Sequence, residues 1–155
     1  DPAYGVRELV EIAGADGLRV VGALATHYHP DHVGGSMMGW EIEGAAELAA
    51  IDGVEARLHC HRDEARGVKQ VTGLSDSDLV LHDGGDVVEV GAIRVELVHT
   101  PGHTPGTLSM LFDVKDNGKP LHVAYSGGTA FNFVNTPENF EKGLKSKSGG
   151  TTSYE

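Results

Sequence analysis

The chain of 155 residues holds a single cysteine, Cys60, so it can close no internal disulfide and build no four-cysteine zinc site. Basic residues are scarce: 12 Lys and Arg stand against 23 Asp and Glu, a formal charge of −11. Nucleic acid and anionic membrane surfaces attract an excess of Lys and Arg, so this charge argues against both as partners. No apolar run approaches the ~20 residues that span a bilayer. The opening stretch, Asp1-Pro2-Ala3-Tyr4-Gly5, lacks the basic region and apolar run of a signal peptide. A signal removed ahead of it would leave no trace, and the unpaired Cys60 favours the cytoplasm.

What is present points elsewhere. Hydrophobic residues make up 39% of the chain, enough for the core of one domain. Glycine, at 22 residues, is about twice its usual share of roughly 7%, which signals many turns and close backbone approaches. Nine histidines are the conspicuous entry in the composition.

Apolar spacing predicts a short amphipathic helix over 6–13, a buried strand over 18–25, a second helix over 40–51 and a strand over 54–60. A polar stretch follows from Asp63 to Asp78. Val87–Val90 and Ile93–Val98, separated by Gly91-Ala92, read as a hairpin, and Asp116-Asn117-Gly118 marks a second one. Thr136-Pro137-Glu138 is a helix start that puts Phe140 and Leu144 on one face. Residues 146–155 are a polar tail, leaving 1–145 as the expected domain. Helices mixed with hairpins favour an α/β or α+β fold with mixed sheets.

The strand over 18–25 runs into Thr26-His27-Tyr28-His29-Pro30-Asp31-His32-Val33-Gly34-Gly35. Three imidazoles and a carboxylate at one strand end are the donors that zinc and non-haem iron prefer, and Pro30 with Gly34-Gly35 lets the backbone turn them inward. The strand over 93–98 repeats the arrangement, ending in His99-Thr100-Pro101-Gly102-His103-Thr104-Pro105-Gly106. Other candidates read as structural. Strand alternation separates Cys60 from His59 and His61, so it is expected as a small buried residue. Glu64 and Arg66 are expected on a solvated helical face, and His82 and His122 stand alone. Met37, Met38 and Trp40 are expected in packing, and Ser126 has no partner base for nucleophilic catalysis.

His27, His29, Asp31 and His32 form an HxHxDH motif which, with Gly102-His103-Thr104-Pro105-Gly106, resembles the metallo-β-lactamase superfamily. The resemblance implies an αββα sandwich, of which this chain would hold only part at both ends. It implies that His27, His29 and His103 bind a first metal and that Asp31 and His32 bind a second, with His99 orienting a ligand from behind. Up to about Ser109 the chain is most similar to hydroxyacylglutathione hydrolases (glyoxalase II-like enzymes). The stretch Tyr125-Ser126-Gly127-Gly128-Thr129-Ala130-Phe131-Asn132 is more similar to β-lactamase-type members. Gly128 stands where thioester hydrolases of the family carry a metal-bridging Asp, and no histidine follows His122.

The implied function is a zinc-dependent hydrolase in which metal-bound hydroxide attacks the thioester or amide carbonyl of a small-molecule substrate, with Asp31 orienting the water and taking its proton. One zinc would be held tightly and a second weakly. The alternatives are a β-lactamase acting on β-lactam antibiotics, a mononuclear iron persulfide dioxygenase, and a metal-binding relative without catalysis.

Overall fold

The computed structural model describes residues 1–128. The helix expected at Thr136 and the polar tail lie outside them. The described chain is mixed helix and sheet, as expected, and groups into two compact units: 1–60 with 64–81, and 61–63 with the residues from His82 onward.

The first unit begins with helix α1 (Val6–Ala15). Glu8 in its first turn complements the helix dipole, and Gly17, at φ +73°, ends it. Strand β1 is Gly22–Leu24, shorter than the apolar run suggested: Leu18 and Val21 are exposed, and burial starts in earnest at Ala25. Helix α2 (Pro30–Val33) is a single turn. Strands β2 (Gly35–Met37) and β3 (Trp40–Ile42) form a hairpin in which Met37 pairs with Trp40.

That hairpin corrects the helix expected from residue 40. Met38 and Gly39 both take positive φ, +53° and +83°, the primed turn that suits a two-residue hairpin. Only Ala45–Ala49 is helical there (α3). The hairpin also overturns the packing role expected of its tip, since Met38 is 92% and Trp40 76% exposed.

Strand β4 (Arg57–His61) runs parallel to β1, with Gly22 opposite Arg57 and Leu24 opposite His59. The stretch read as polar then supplies a 3-10 turn (Arg62–Glu64), helix α4 (Ala65–Thr72) and strand β5 (Leu79–His82). The sheet order is β1-β4-β5. Its core is Ala25, Val33, Ala45, Leu58, Cys60, Val68 and Leu79, with Tyr28, Val71 and Leu74 against them. Cys60 is therefore buried among apolar side chains, as expected.

The second unit is an antiparallel sheet of β6 (Val87–Val90), β7 (Ile93–His99), β8 (Leu108–Asp116) and β9 (Lys119–Tyr125). Both expected hairpins form. Gly91 takes φ +59° in the first, and Asn117 and Gly118 take +48° and +81° in the second. Register places Leu97, Met110 and Tyr125 in one row and Val95, Phe112 and Val123 in the next, which gives the sheet an apolar face. Among the described residues no helix is long and apolar enough to cross a membrane.

Candidate metal centre

Ala25 donates its backbone N–H to the carbonyl of His59, at 2.8 Å, so the pairing with β4 carries Thr26 and His27 to the sheet's edge. Asp1 holds this point. One carboxylate oxygen accepts the Thr26 backbone N–H at 2.6 Å, and the other accepts its hydroxyl at 3.0 Å. A carboxylate only accepts, so the Thr26 hydroxyl proton is committed to Asp1, and Thr26 Oγ1 accepts from His27 Nδ1 at 2.9 Å. The neutral ring then keeps its lone pair on Nε2, which is buried.

His29 precedes the single-turn helix α2, with Pro30 at the first helical position. His32 and Val33 both close back on the His29 carbonyl, at 2.9 and 3.1 Å. The turn brings three imidazoles together: ring centroids lie 4.8 Å apart for His27 and His29 and 4.0 Å apart for His27 and His32. Asp1 recurs here, since its Oδ2 accepts from His32 Nδ1 at 3.0 Å, leaving the second lone pair on Nε2 as well. Burial holds the His32 pKa below its ordinary value, against the opposing charge of Asp31. Asp31 Oδ2 stands 3.6 Å from His32 Nε2, on the more exposed side of the turn.

Close backbone packing fixes the far end of the motif. A Cβ on Gly34 would lie 2.6 Å from the Gly44 Cα, and one on Gly35 would lie 2.4 Å from the Val71 carbonyl oxygen. Only glycine fits either place, and both take positive φ.

Glu64 was expected on a solvated face and is instead 1% exposed. Its Oε2 accepts the backbone N–H of Tyr28, between His27 and His29, at 2.8 Å. Arg66 is exposed, as expected. Asp1 and Glu64 thus support this loop from outside it, where the motif alone does not reveal them.

In the second unit, His103 lies on the loop that joins β7 to β8. Thr104 donates its backbone N–H to Thr107 Oγ1 at 3.0 Å, Thr100 donates to the Thr107 carbonyl at 2.9 Å, and both Thr104 and Thr107 are buried. Gly127 donates to Ser109 Oγ at 3.1 Å, which brings the end of β9 beside this loop. A Cβ on Gly128 would lie 3.1 Å from that of His103. His99 Nε2 bonds the Pro105 carbonyl at 2.9 Å, and its ring stacks on His61.

Residues 1–116 match the family model described as the metallo-beta-lactamase superfamily. The chain belongs to the metallo-β-lactamase superfamily. Within it, the chain is 34% identical over 122 residues to a hydroxyacylglutathione hydrolase of Rhodopseudomonas palustris, covering 73% of this chain and 41% of that protein. It is 29% identical over 133 residues to one from Synechococcus, covering 84% of this chain and 44% of that protein. The chain therefore spans less than half the length of these curated relatives.

Among solved structures, the Rm3 metallo-β-lactamase aligns with a TM-score of 0.61 at 25% identity, over 88% of this chain and 55% of that one. The native FEZ-1 metallo-β-lactamase from Legionella gormanii aligns with a TM-score of 0.62 at 21% identity, over 90% of this chain and 59% of that one. The second likeness concerns the fold alone. The metallo-β-lactamase fold expected from the motifs is thus shown, in part of its length.

Proposed function

We propose that this chain carries the metal-binding part of a metal-dependent hydrolase of the hydroxyacylglutathione hydrolase type, acting on a thioester. The observation that carries the reading is the HxHxDH turn. Its His27 and His32 rings each have Nδ1 tied back by an oxygen partner, so each offers Nε2. Imidazoles fixed in one tautomer by a neighbour behind them are what a zinc ion takes as ligands. The donor chemistry of this turn therefore fits the metal that the family implies.

In this reading His27, His29 and His103 hold the first metal, the last assigned from its place in the family motif. Asp31 and His32 hold a second. A bound zinc supplies Lewis acidity and lowers the pKa of water towards roughly 7. Asp31, on the exposed side of the turn, receives a proton at its carboxylate and orients the water by hydrogen bonding. Thr26 and Asp1 keep His27 in the ligating tautomer. The substrate class rests on the likeness to the Rhodopseudomonas and Synechococcus proteins.

The test pairs metal analysis with two substrate assays. Zinc-dependent thiol release from a hydroxyacylglutathione thioester, with little turnover of a β-lactam, is expected. Asp31→Asn should keep the first metal and lose most of the activity, while His103→Ala should lower metal content by about one equivalent. Full activity in Asp31→Asn, or unchanged metal content in His103→Ala, refutes the assignment of that residue. Faster turnover of a β-lactam than of the thioester overturns the substrate class.

A further inference from the structure

A second group of metal-ligating side chains lies entirely within the second unit and outside the family motifs. His61 ends β4, Asp63 follows in the 3-10 turn, and His99 ends β7. One ligand atom from each lies within 4.8 Å of the others. The two imidazoles stack, with centroids 4.2 Å apart and planes 12° from parallel.

The hydrogen bonds fix the tautomer of each ring. His99 Nε2 lies 2.9 Å from the Pro105 carbonyl oxygen, which can only accept. Nε2 therefore carries the proton and Nδ1 the lone pair. His61 Nδ1 accepts the backbone N–H of Asp63 at 3.2 Å, so its lone pair is on Nδ1 too, and Asp63 Oδ2 stands 3.7 Å away. Each ring thus carries its lone pair on Nδ1, that of His61 engaged by the Asp63 N–H, with the Asp63 carboxylate nearby. The Pro105 carbonyl behind His99 is the kind of outer partner that ligating histidines use.

The surroundings keep the ring able to ligate. Burial, then His99, holds the His61 pKa below its ordinary value against the charges of Asp63 and Asp83, so the imidazole stays neutral with a lone pair to offer. The nearby cation, Arg62, is drawn off by Asp83, which it grips with two hydrogen bonds. Gly84 makes room for His99: a Cβ there would lie 2.7 Å from the His99 Cβ. Asp63 is 48% exposed while the His61 side chain is 5% exposed, so the group has a sealed floor and an open mouth.

We propose that His61, Asp63 and His99 form a second transition-metal site, selective for zinc-like divalent ions over magnesium or calcium. Two imidazoles and one carboxylate are a donor set for Zn²⁺, Co²⁺ or Ni²⁺, whereas the hard cations prefer all-oxygen cages. Three protein ligands leave one position to water, so the ion exchanges readily with solvent. Binding has a structural consequence. A metal lies in the plane of each ligating ring, so the stacked imidazoles must rotate out of their parallel arrangement, and the Asp63 N–H bond to His61 must give way.

The experiment titrates Zn²⁺ into a metal-stripped His27→Ala, His29→Ala chain, which lacks two ligands of the family site. About one equivalent is expected to bind, and both His99→Gln and Asp63→Asn are expected to abolish it at the same zinc concentration. Magnesium at the same concentration is expected to leave the chain unchanged. Nitrogen-15 spectra of the histidine side chains in the unsubstituted chain give an independent reading, whether or not the double variant folds. Zinc should shift Nδ1 of His61 and of His99 together and leave the His99 Nε2–H in place, and Asp63→Asn should remove the shift. No movement of these two resonances, or movement that persists in Asp63→Asn, overturns the site.

Discussion

Glu64 accepts the backbone N–H of Tyr28 at 2.8 Å, so a carboxylate almost removed from solvent holds the one residue between His27 and His29. Bonds from charged acceptors to backbone donors are worth about 1.5–3 kcal/mol, and stranding the buried donor adds to the loss. Glu64→Ala is therefore expected to lower stability by about 2 kcal/mol, in the range set by such bonds, and to weaken metal binding at the loop. Glu64→Gln keeps an acceptor oxygen and should recover most of both. Urea denaturation alongside metal analysis distinguishes the two variants, and equal behaviour of Ala and Gln would remove the positioning role.

Tyr28 is held from its other side by helix α4. A Cβ on Gly67 would lie 2.4 Å from the Tyr28 Cγ and 2.9 Å from its Cβ. Two effects oppose each other in Gly67→Ala. Helix propensity gains up to about 1 kcal/mol, while overpacking against a ring that cannot retreat costs about 1–3 kcal/mol. Tyr28 packs on the core and its backbone is tied to Glu64, so the clash is expected to win. The melting temperature should fall despite the better helix former, and a rise would show that the ring has room to move.

Cys60 is fully buried, and burial, with the Glu64 charge adding to it, pushes its thiol pKa up to about 12. Thiolate is the reactive form, so the native chain should resist alkylation at pH 8 and react fully once unfolded in denaturant. Modification by iodoacetamide, followed by mass spectrometry, checks this. Rapid labelling without denaturant would mean that β4 opens locally. Cys60→Ser should destabilise, because it places a hydroxyl among Leu58, Val68 and Ala25.

The two metal motifs were legible because each is a contiguous stretch with its turn residues built in. The hairpins were legible for the same reason, through Gly91 and Asn117-Gly118, whose positive φ values the turns require. The β2–β3 hairpin was not. Its turn is Met38-Gly39, half of it an unlikely residue for positive φ, and the Ala- and Glu-rich run that follows carries a helical signal that belongs only to Ala45–Ala49. The supports of the metal loop were hidden differently. Asp1 acts 25 residues before Thr26 in sequence and Glu64 acts 36 residues after Tyr28, so neither contact leaves a local pattern. Glu64 in particular sits among Arg62, Asp63 and Arg66, where charge alone reads as solvated surface.

In the proposed reading Asp31 and His32 give a second metal two protein ligands, where stable sites have three or four. The resemblance to the family puts Gly128 at the proposed place of a bridging acid, and Gly128 packs directly on His103: a Cβ there would lie 3.1–3.2 Å from the His103 Cβ, Cγ and Cδ2. At that spacing the His103 ring must give by a few tenths of an ångström to admit a side chain. With that shift, Gly128→Asp is expected to fold and to bring a carboxylate beside the imidazole assigned above to the first metal. In an Asp63→Asn background, which silences the cluster at His99, the chain is expected to hold about one tight zinc, with the second lost on dialysis. Adding Gly128→Asp should tighten the second on the order of tenfold or more, as changes around a metal's ligands commonly do. Gly128→Ala is the control, since it crowds His103 equally without adding a ligand. If Asp and Ala at 128 gave the same titration, the carboxylate would not reach the metal and Gly128 would not occupy the bridging position. If the Asp63→Asn chain already held two zinc ions of equal affinity, the second site would have a ligand beyond Asp31 and His32.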